Sequence, residues 1–322
     1  MIDDRLSMDY NKIVKAILNS DRIAIAKAIT QIEDETGAYR EILDALYPKL
    51  GNAYRIGVTG PPGAGKSTLT KHLARLIRTQ NLSVGIIAID PTSPYTGGAV
   101  LGDRLRMGEL TLDRGVYIRS MASRGSLGGL AATATQAADV LDAAGYDVVI
   151  YETVGVGQVE LDIADAADTT MVMLVPEGGD IIQGLKAGLM EIGDIFILNK
   201  YDRPGAERMQ KDLEYVLHLK EPAGGWESRV LPTIANRGEK IDAVWQEIVH
   251  HREFLQAQNL LQTRRRARLE KRLKVLIRTE IEHRFWTPSR EKMLSDYLKK
   301  EQQNISPYLL ASQMVEELMR DS

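Results

Sequence analysis

Along residues 9–50 the apolar positions recur at helical spacing: Ile13, Ile17 and Leu18, then Ile25, Ala28, Ile29 and Ile32, then Ile42, Leu43 and Leu46. Asp21, between the first two groups, is placed to cap the start of a helix. The pattern then changes. Six short β-branched runs follow at 55–59, 84–89, 116–118, 148–151, 171–175 and 195–198. They are nearly continuous rather than alternating, which predicts strands buried on both faces of a parallel sheet. Helical spacing returns between several of them, as at Leu69, Leu73, Leu76 and Ile77. This order predicts an α/β fold with a doubly wound, mostly parallel sheet.

After residue 250 the spacing is helical again and opens on a basic run, Arg264-Arg265-Arg266-Ala267-Arg268-Leu269-Glu270-Lys271-Arg272. The run reads as a solvated helix face, with Leu269, Leu273, Leu276 and Ile277 as a buried stripe beside it. Trp286-Thr287-Pro288 breaks the region, and residues 305–311 open a last short helix. The chain therefore divides into an N-terminal helical arm (1–53), an α/β core (54–250) and a C-terminal helical region (251–322). No internal repeat is present.

Composition narrows the function. At 322 residues, 44% hydrophobic and 26% charged, the chain has the balance of a globular protein with a sizeable core, not of a disordered or fibrous one. A net charge of −3 gives no bulk attraction for nucleic acid. The absence of cysteine removes disulfide scaffolds, thiolate metal sites and cysteine nucleophiles. Five histidines, with one adjacent pair (His250 and His251) in a helix-like polar stretch, do not suggest a transition-metal enzyme. No run approaches the roughly 20 apolar residues of a membrane span. The opening Met1-Ile2-Asp3-Asp4-Arg5 lacks the basic-then-apolar pattern of a secretion signal. A cytoplasmic protein without nucleic-acid or membrane partners is expected.

Gly60-Pro61-Pro62-Gly63-Ala64-Gly65-Lys66-Ser67 has two glycines around four residues, then Lys and Ser, between a buried strand and an amphipathic helix. That arrangement predicts a P-loop NTPase. Backbone N–H groups and the helix N-terminus converge on phosphates, Lys66 neutralises the β and γ oxygens, and the Ser67 hydroxyl reaches magnesium. Asn199-Lys200-Tyr201-Asp202 follows the strand at 195–198, and a carboxylate there accepts the N1–H and exocyclic amine of guanine, which adenine lacks. GTP is therefore the expected nucleotide. Glu152 ends the strand at 148–151, with Gly155 three residues on, an arrangement that puts a carboxylate near magnesium and a glycine N–H near the γ-phosphate. Val156 stands where many GTPases carry the glutamine that orients water, so hydrolysis without a partner is expected to be slow. Asp90, at a strand end, and Asp103, in a glycine-rich loop, are two further acids suited to the metal.

These stretches resemble the MeaB-type G-protein chaperones of adenosylcobalamin-dependent acyl-CoA mutases over nearly the whole chain. The specific parts are 59–68, Asp90-Pro-Thr-Ser93 with Thr96-Gly-Gly98 and Gly102-Asp-Arg104, Glu152-Thr-Val-Gly-Val-Gly-Gln158, and Gly178-Gly-Asp180 with Gln183-Gly184. The resemblance implies a homodimer formed through the C-terminal helices. It implies binding of GTP or GDP with magnesium, docking on a mutase such as methylmalonyl-CoA mutase, and gating of adenosylcobalamin loading. By the same resemblance Asp90, Asp103 and Glu152, with Ser67, are magnesium-region residues; the phosphate site extends to Thr68; and Ile234, Ala235 and Asn236 join the nucleotide site. It also makes residues 177–186 a further switch, with Lys186 the candidate catalytic helper beside Lys66 and Glu152. The chain departs from the family at Ile234 and Val159, where serine is usual, and at Tyr201, where a small residue is usual. Two other classes share parts of this pattern. A nickel or cobalt metallochaperone GTPase would normally present Cys or His clusters, and a kinase of a small molecule or transport protein would use ATP.

Overall fold

A computed structural model of the chain describes residues 3–91, 108–123, 129–153, 162–176, 187–219, 223–298 and 306–320. The N-terminal spacing forms α1 (Asp3–Leu18), α2 (Arg22–Asp34) and α3 (Tyr39–Leu46). Asp21 caps α2 by accepting the Ala24 N–H at 2.7 Å, satisfying one donor of the first turn.

Seven strands follow among the described residues: β1 (Tyr54–Thr59), β2 (Val84–Pro91), β3 (Val116–Ser123), β4 (Val148–Thr153), β5 (Thr169–Leu174), β6 (Ile195–Leu198) and β7 (Val230–Pro232). They form one sheet in the order β3-β2-β4-β1-β5-β6-β7, with every pairing parallel. β7 lies outside the six predicted runs because three residues are too few for a hydrophobic pattern to register. The crossovers carry α4 (Lys66–Thr79), α5 (Gly129–Ala143), α6 (Ala187–Ile192) and α7 (Ala206–His218), and α8 (Ile241–Ala257) follows β7.

Strand residues sort by parity into separate cores, since successive side chains face opposite sides. Ile56, Val58, Ile86, Ile150, Met173 and Ile197 pack with Leu69, Leu73 and Ile77 of α4 and with Val244 and Ile248 of α8. On the other face, Ile87, Val149 and Tyr151 meet Ala137 and Leu141 of α5, which in turn carries Ile25, Ile29, Ile42 and Leu46 of the N-terminal helices. A third cluster joins Val172, Phe196 and Leu198 to Leu213 and Leu217 of α7. Chain direction across the sheet reverses at β1, whose neighbours are β4 and β5. That is where an open α/β sheet offers a crevice beyond its carboxyl edge.

The opposite edge holds a polar lattice. His251 of α8 is fully buried; its Nδ1 lies 2.8 Å from Thr169 Oγ1, which lies 2.6 Å from the Tyr54 hydroxyl. Asp194 accepts the Thr170 N–H at 2.8 Å, and Trp226 Nε1–H donates to the Asp194 carbonyl at 2.8 Å. Burial pushes the His251 imidazole down to about 4, against the opposing pull of Asp194.

The basic run is only partly the solvated face its composition predicts. It sits in α9 (Leu260–Phe285), where Arg264 donates to Asp194 at 3.0 Å. Arg265 grips the buried carboxylate of Asp168 with two bonds, at 3.0 and 2.6 Å, and donates to the Gly51 and Ala53 carbonyls. The expected buried stripe is also corrected. Leu269, Leu273, Leu276 and Ile277 are exposed, at 37%, 48%, 43% and 57%, because no element among the described residues covers them.

The chain separates into two compact units, the division falling after Arg265. The second holds the rest of α9, then α10 (Pro288–Leu298) and α11 (Pro307–Arg320). Thr287 caps α10 by accepting the Arg290 N–H, and Ser306 caps α11 by accepting that of Leu309. None of the helices among the described residues is long and apolar enough to cross a membrane.

Candidate functional site

β1 runs into Gly60, which holds φ +135; a Cβ there would strike the Met173 carbonyl oxygen of β5. Gly65, at φ +97, ends the loop, and a Cβ there would strike the Asn199 side-chain amide. Glycine is required at both positions by close approach as well as by backbone angle. Gly65 is also the N-cap of α4 and has no side chain to cap it, so the helix N-terminus faces the loop as a ready anion site. Pro62 and Gly63 are exposed at the tip, while Ala64 is buried beneath it. The Lys66 ammonium is nearly buried and curls over the loop, donating to the Gly60 carbonyl at 2.7 Å and to Pro61 at 2.9 Å.

On the next turn of chemistry, the Ser67 hydroxyl donates to Oε1 of Glu152, which is buried at the end of β4. A hydroxyl and a carboxylate beside a phosphate loop are the oxygen donors magnesium prefers, so the residues fit that ion. Register puts Asp90 on the same edge, since Ala88 pairs with Glu152 and Ile89 with Thr153. The side chain of Asp90 lies outside what is described, as do Asp103, Gly155, Val156 and Lys186. Among the described residues, no three of His, Cys, Asp and Glu gather where they could hold a metal ion.

Asn199 follows β6 and is buried as a three-way tie. Its Nδ2 donates to the Ala64 carbonyl at 2.7 Å, and its Oδ1 accepts the Ala235 N–H at 2.9 Å and the Thr233 hydroxyl at 3.2 Å. The phosphate loop and the segment after β7 are thereby fixed to each other, so that the structure gives Asn199 a framework task. Lys200 takes a left-handed φ of +57, bending the chain so that Tyr201 N–H reaches the Thr233 carbonyl. Asp202 is exposed, with Arg237 3.5 Å from its Oδ2. Asn236 is exposed and Ile234 half-buried. Ser67 joins Glu152, and Asn199 joins Ala64 and Ala235; Thr68 lies in the first turn of α4.

Sequence reasoning missed Thr59, Thr153 and Arg237. The first two are buried hydroxyls 3.2 Å apart at the ends of β1 and β4. Both lie in the stretches that carry the family resemblance, but nothing in the sequence marks them as a contacting pair.

Residues 25–290 match the family model described as methylmalonyl Co-A mutase-associated GTPase MeaB. The chain belongs to this family. As a MeaB-family protein it is a GTPase on a P-loop NTPase fold, as its motifs predict. Among its relatives is a protein of Pyrococcus abyssi that carries a GTPase name, 44% identical over 96% of this chain and 97% of its own. GTPase ArgK of Escherichia coli is 38% identical over 77% of this chain and 78% of its own. The mitochondrial methylmalonic aciduria type A homolog of Mus musculus is 34% identical over 79% of this chain and 65% of its own. The crystal structure of an LAO/AO transport system kinase superposes with TM-score 0.72 at 28% identity, covering 96% of this chain and 97% of that one.

Proposed function

We propose that this MeaB-family GTPase is a nucleotide-timed chaperone that gates adenosylcobalamin loading into an acyl-CoA mutase, methylmalonyl-CoA mutase or a close relative, in the cytoplasm. The observation that carries this reading is the match of residues 25–290 to a family described by its association with methylmalonyl-CoA mutase. The proposed parts are a GTPase core at 54–250, an N-terminal arm at 1–53 and a dimerisation region at 251–322. An exposed row of Leu269, Leu273, Leu276 and Ile277 supports the last, because such a row is stabilised when a second helix covers it.

Within the site, the main-chain N–H groups of 60–68 cradle the phosphates and Lys66 holds the β and γ oxygens. Asp202 accepts the guanine edge, with Lys200, Ile234, Ala235 and Asn236 beside it, and Asn199 keeps the two halves in register. Ser67 and Glu152, with Asp90 and Asp103, would hold magnesium, which when bound supplies positive charge against the developing charge on the phosphates. Gly155 and Lys186 are the proposed γ-phosphate sensor and catalytic helper. With valine at position 156, no glutamine orients the water, so the free protein hydrolyses slowly and the client accelerates it.

The test is co-purification with a purified mutase in a GTP analogue and in GDP, together with single-turnover hydrolysis with and without the mutase. Nucleotide-dependent retention and faster hydrolysis are expected. Equal retention in both nucleotides, or none, refutes the chaperone reading.

A further inference from the structure

β4 ends in two adjacent polar residues that its pleat sends to opposite faces. Glu152 shares the face of Ile150 and meets Ser67 of α4. Thr153 shares the face of Val149 and Tyr151, on the side of α5, and its hydroxyl donates to Thr59 Oγ1 at 3.2 Å. Both threonines are buried, at 0% and 1% exposure, so neither hydroxyl exchanges this bond for water at low cost. The register Val58↔Glu152 makes them the next pair along β1 and β4. Thr59 directly precedes Gly60, where the phosphate loop begins; Thr153 directly follows Glu152. The end of β4 is thus fastened on both faces, once to the helix that leaves the phosphate loop and once to the strand that enters it.

We infer that the Thr153–Thr59 hydrogen bond is a positioning element for GTP hydrolysis: it sets the height and twist of Glu152 relative to Ser67 and so the geometry of the magnesium-side oxygens. A β-branched residue without the hydroxyl fills the same space. What it loses is the directional side-chain contact that adds to the ladder pairing with Ile89 in orienting the last residue of β4. Nucleotide affinity rests on groups this bond does not touch, the loop N–H groups, Lys66 and the base-side segment. Its loss therefore acts on turnover and on the magnesium requirement, not on binding. This inference rests on the reading of Ser67 and Glu152 as magnesium-side residues.

The experiment compares wild type, Thr153→Val, Thr153→Ser and Thr59→Val in the full chain, with Glu152→Gln as the reference for the metal site. Two quantities are read: single-turnover GTP hydrolysis, and the magnesium concentration that half-slows release of a fluorescent GTP analogue. Thr153→Val is expected to lower hydrolysis about tenfold, the worth of one buried hydrogen bond used in the transition state. It should raise the magnesium requirement several-fold while GDP affinity stays within about twofold, and Thr153→Ser, which keeps the hydroxyl, should restore both readouts. Thr59→Val should repeat the defect from the acceptor side and carries the test if Thr153→Val fails to fold. The double valine variant should be no worse than either single, since both remove one bond. Unchanged hydrolysis and magnesium requirement in the valine variants, or a serine variant as poor as the valine, overturns the inference. If Glu152→Gln leaves the magnesium requirement unmoved, the metal-site reading fails; if Glu152→Gln moves it and the threonine variants do not, the threonine inference alone fails.

Discussion

At the scale of single residues, the site divides into groups offered to the nucleotide and groups that hold the frame. Asp202 is proposed as one of the first kind. Asp202→Asn reverses the donor and acceptor pattern at the guanine edge, so GTP should weaken and xanthosine nucleotides gain, read by competitive binding of the two. Unchanged GTP affinity would remove Asp202 from base recognition. Asn199 is of the second kind. Asn199→Ala strands the Ala64 carbonyl, the Ala235 N–H and the Thr233 hydroxyl. Since a stranded buried group costs about 1–3 kcal/mol, denaturant unfolding should show a loss of at least about 2 kcal/mol even without nucleotide. The role proposed for Asp202 is read from the sequence because it depends on residue type after a strand. The threonine pair was not, because two hydroxyls 94 positions apart meet only through strand register.

At the scale of elements, α8 and the root of α9 are held at the amino edge of the sheet by buried polar contacts, not by apolar packing alone. Arg265→Ala leaves Asp168 with the Arg55 N–H but without its paired guanidinium, and should destabilise the protein by about 3 kcal/mol in urea titration. His251 adds a pH dependence. Burial holds its folded value at about 4, whereas the unfolded chain takes up a proton near the ordinary histidine value of about 6.5. Asp194 and Asp168 pull that value up, and Arg264 and His250 push it down, but burial dominates. Its contribution is therefore complete above pH about 6.5 and falls as the pH drops toward 4, by up to about 3 kcal/mol. Unfolding midpoints measured across that window should slope upward with pH in the wild type and less so in His251→Gln. The helical spacing of 241–257 was readable, but the burial of His251 was not, since a histidine beside Arg252 and Glu253 looks polar until Trp226 and Thr169 are brought against it.

At the scale of the whole molecule, the exposed row on α9 is the face that the proposed dimer would cover. Replacing Leu273 and Leu276 together by Glu should yield a monomer in light scattering while leaving nucleotide binding intact, because neither residue lies in the phosphate or base segments. A dimer that persists would place the interface elsewhere. Local sequence determined the α/β class, six of the seven strands among the described residues, the cap at Asp21 and the phosphate loop, because each depends on residues close in sequence whose period, type or order is distinctive. Tertiary structure decided the rest. The three-residue β7 forms against β6, and Asn199 becomes a tie only where two loops converge. Two arginines of a run that reads as solvent-facing turn inward because Asp168 and Asp194, about 70 to 100 positions away, end up beneath them. The apolar row expected to be buried faces outward, because periodicity reports that a helix has an apolar side and cannot say whether the same chain covers it.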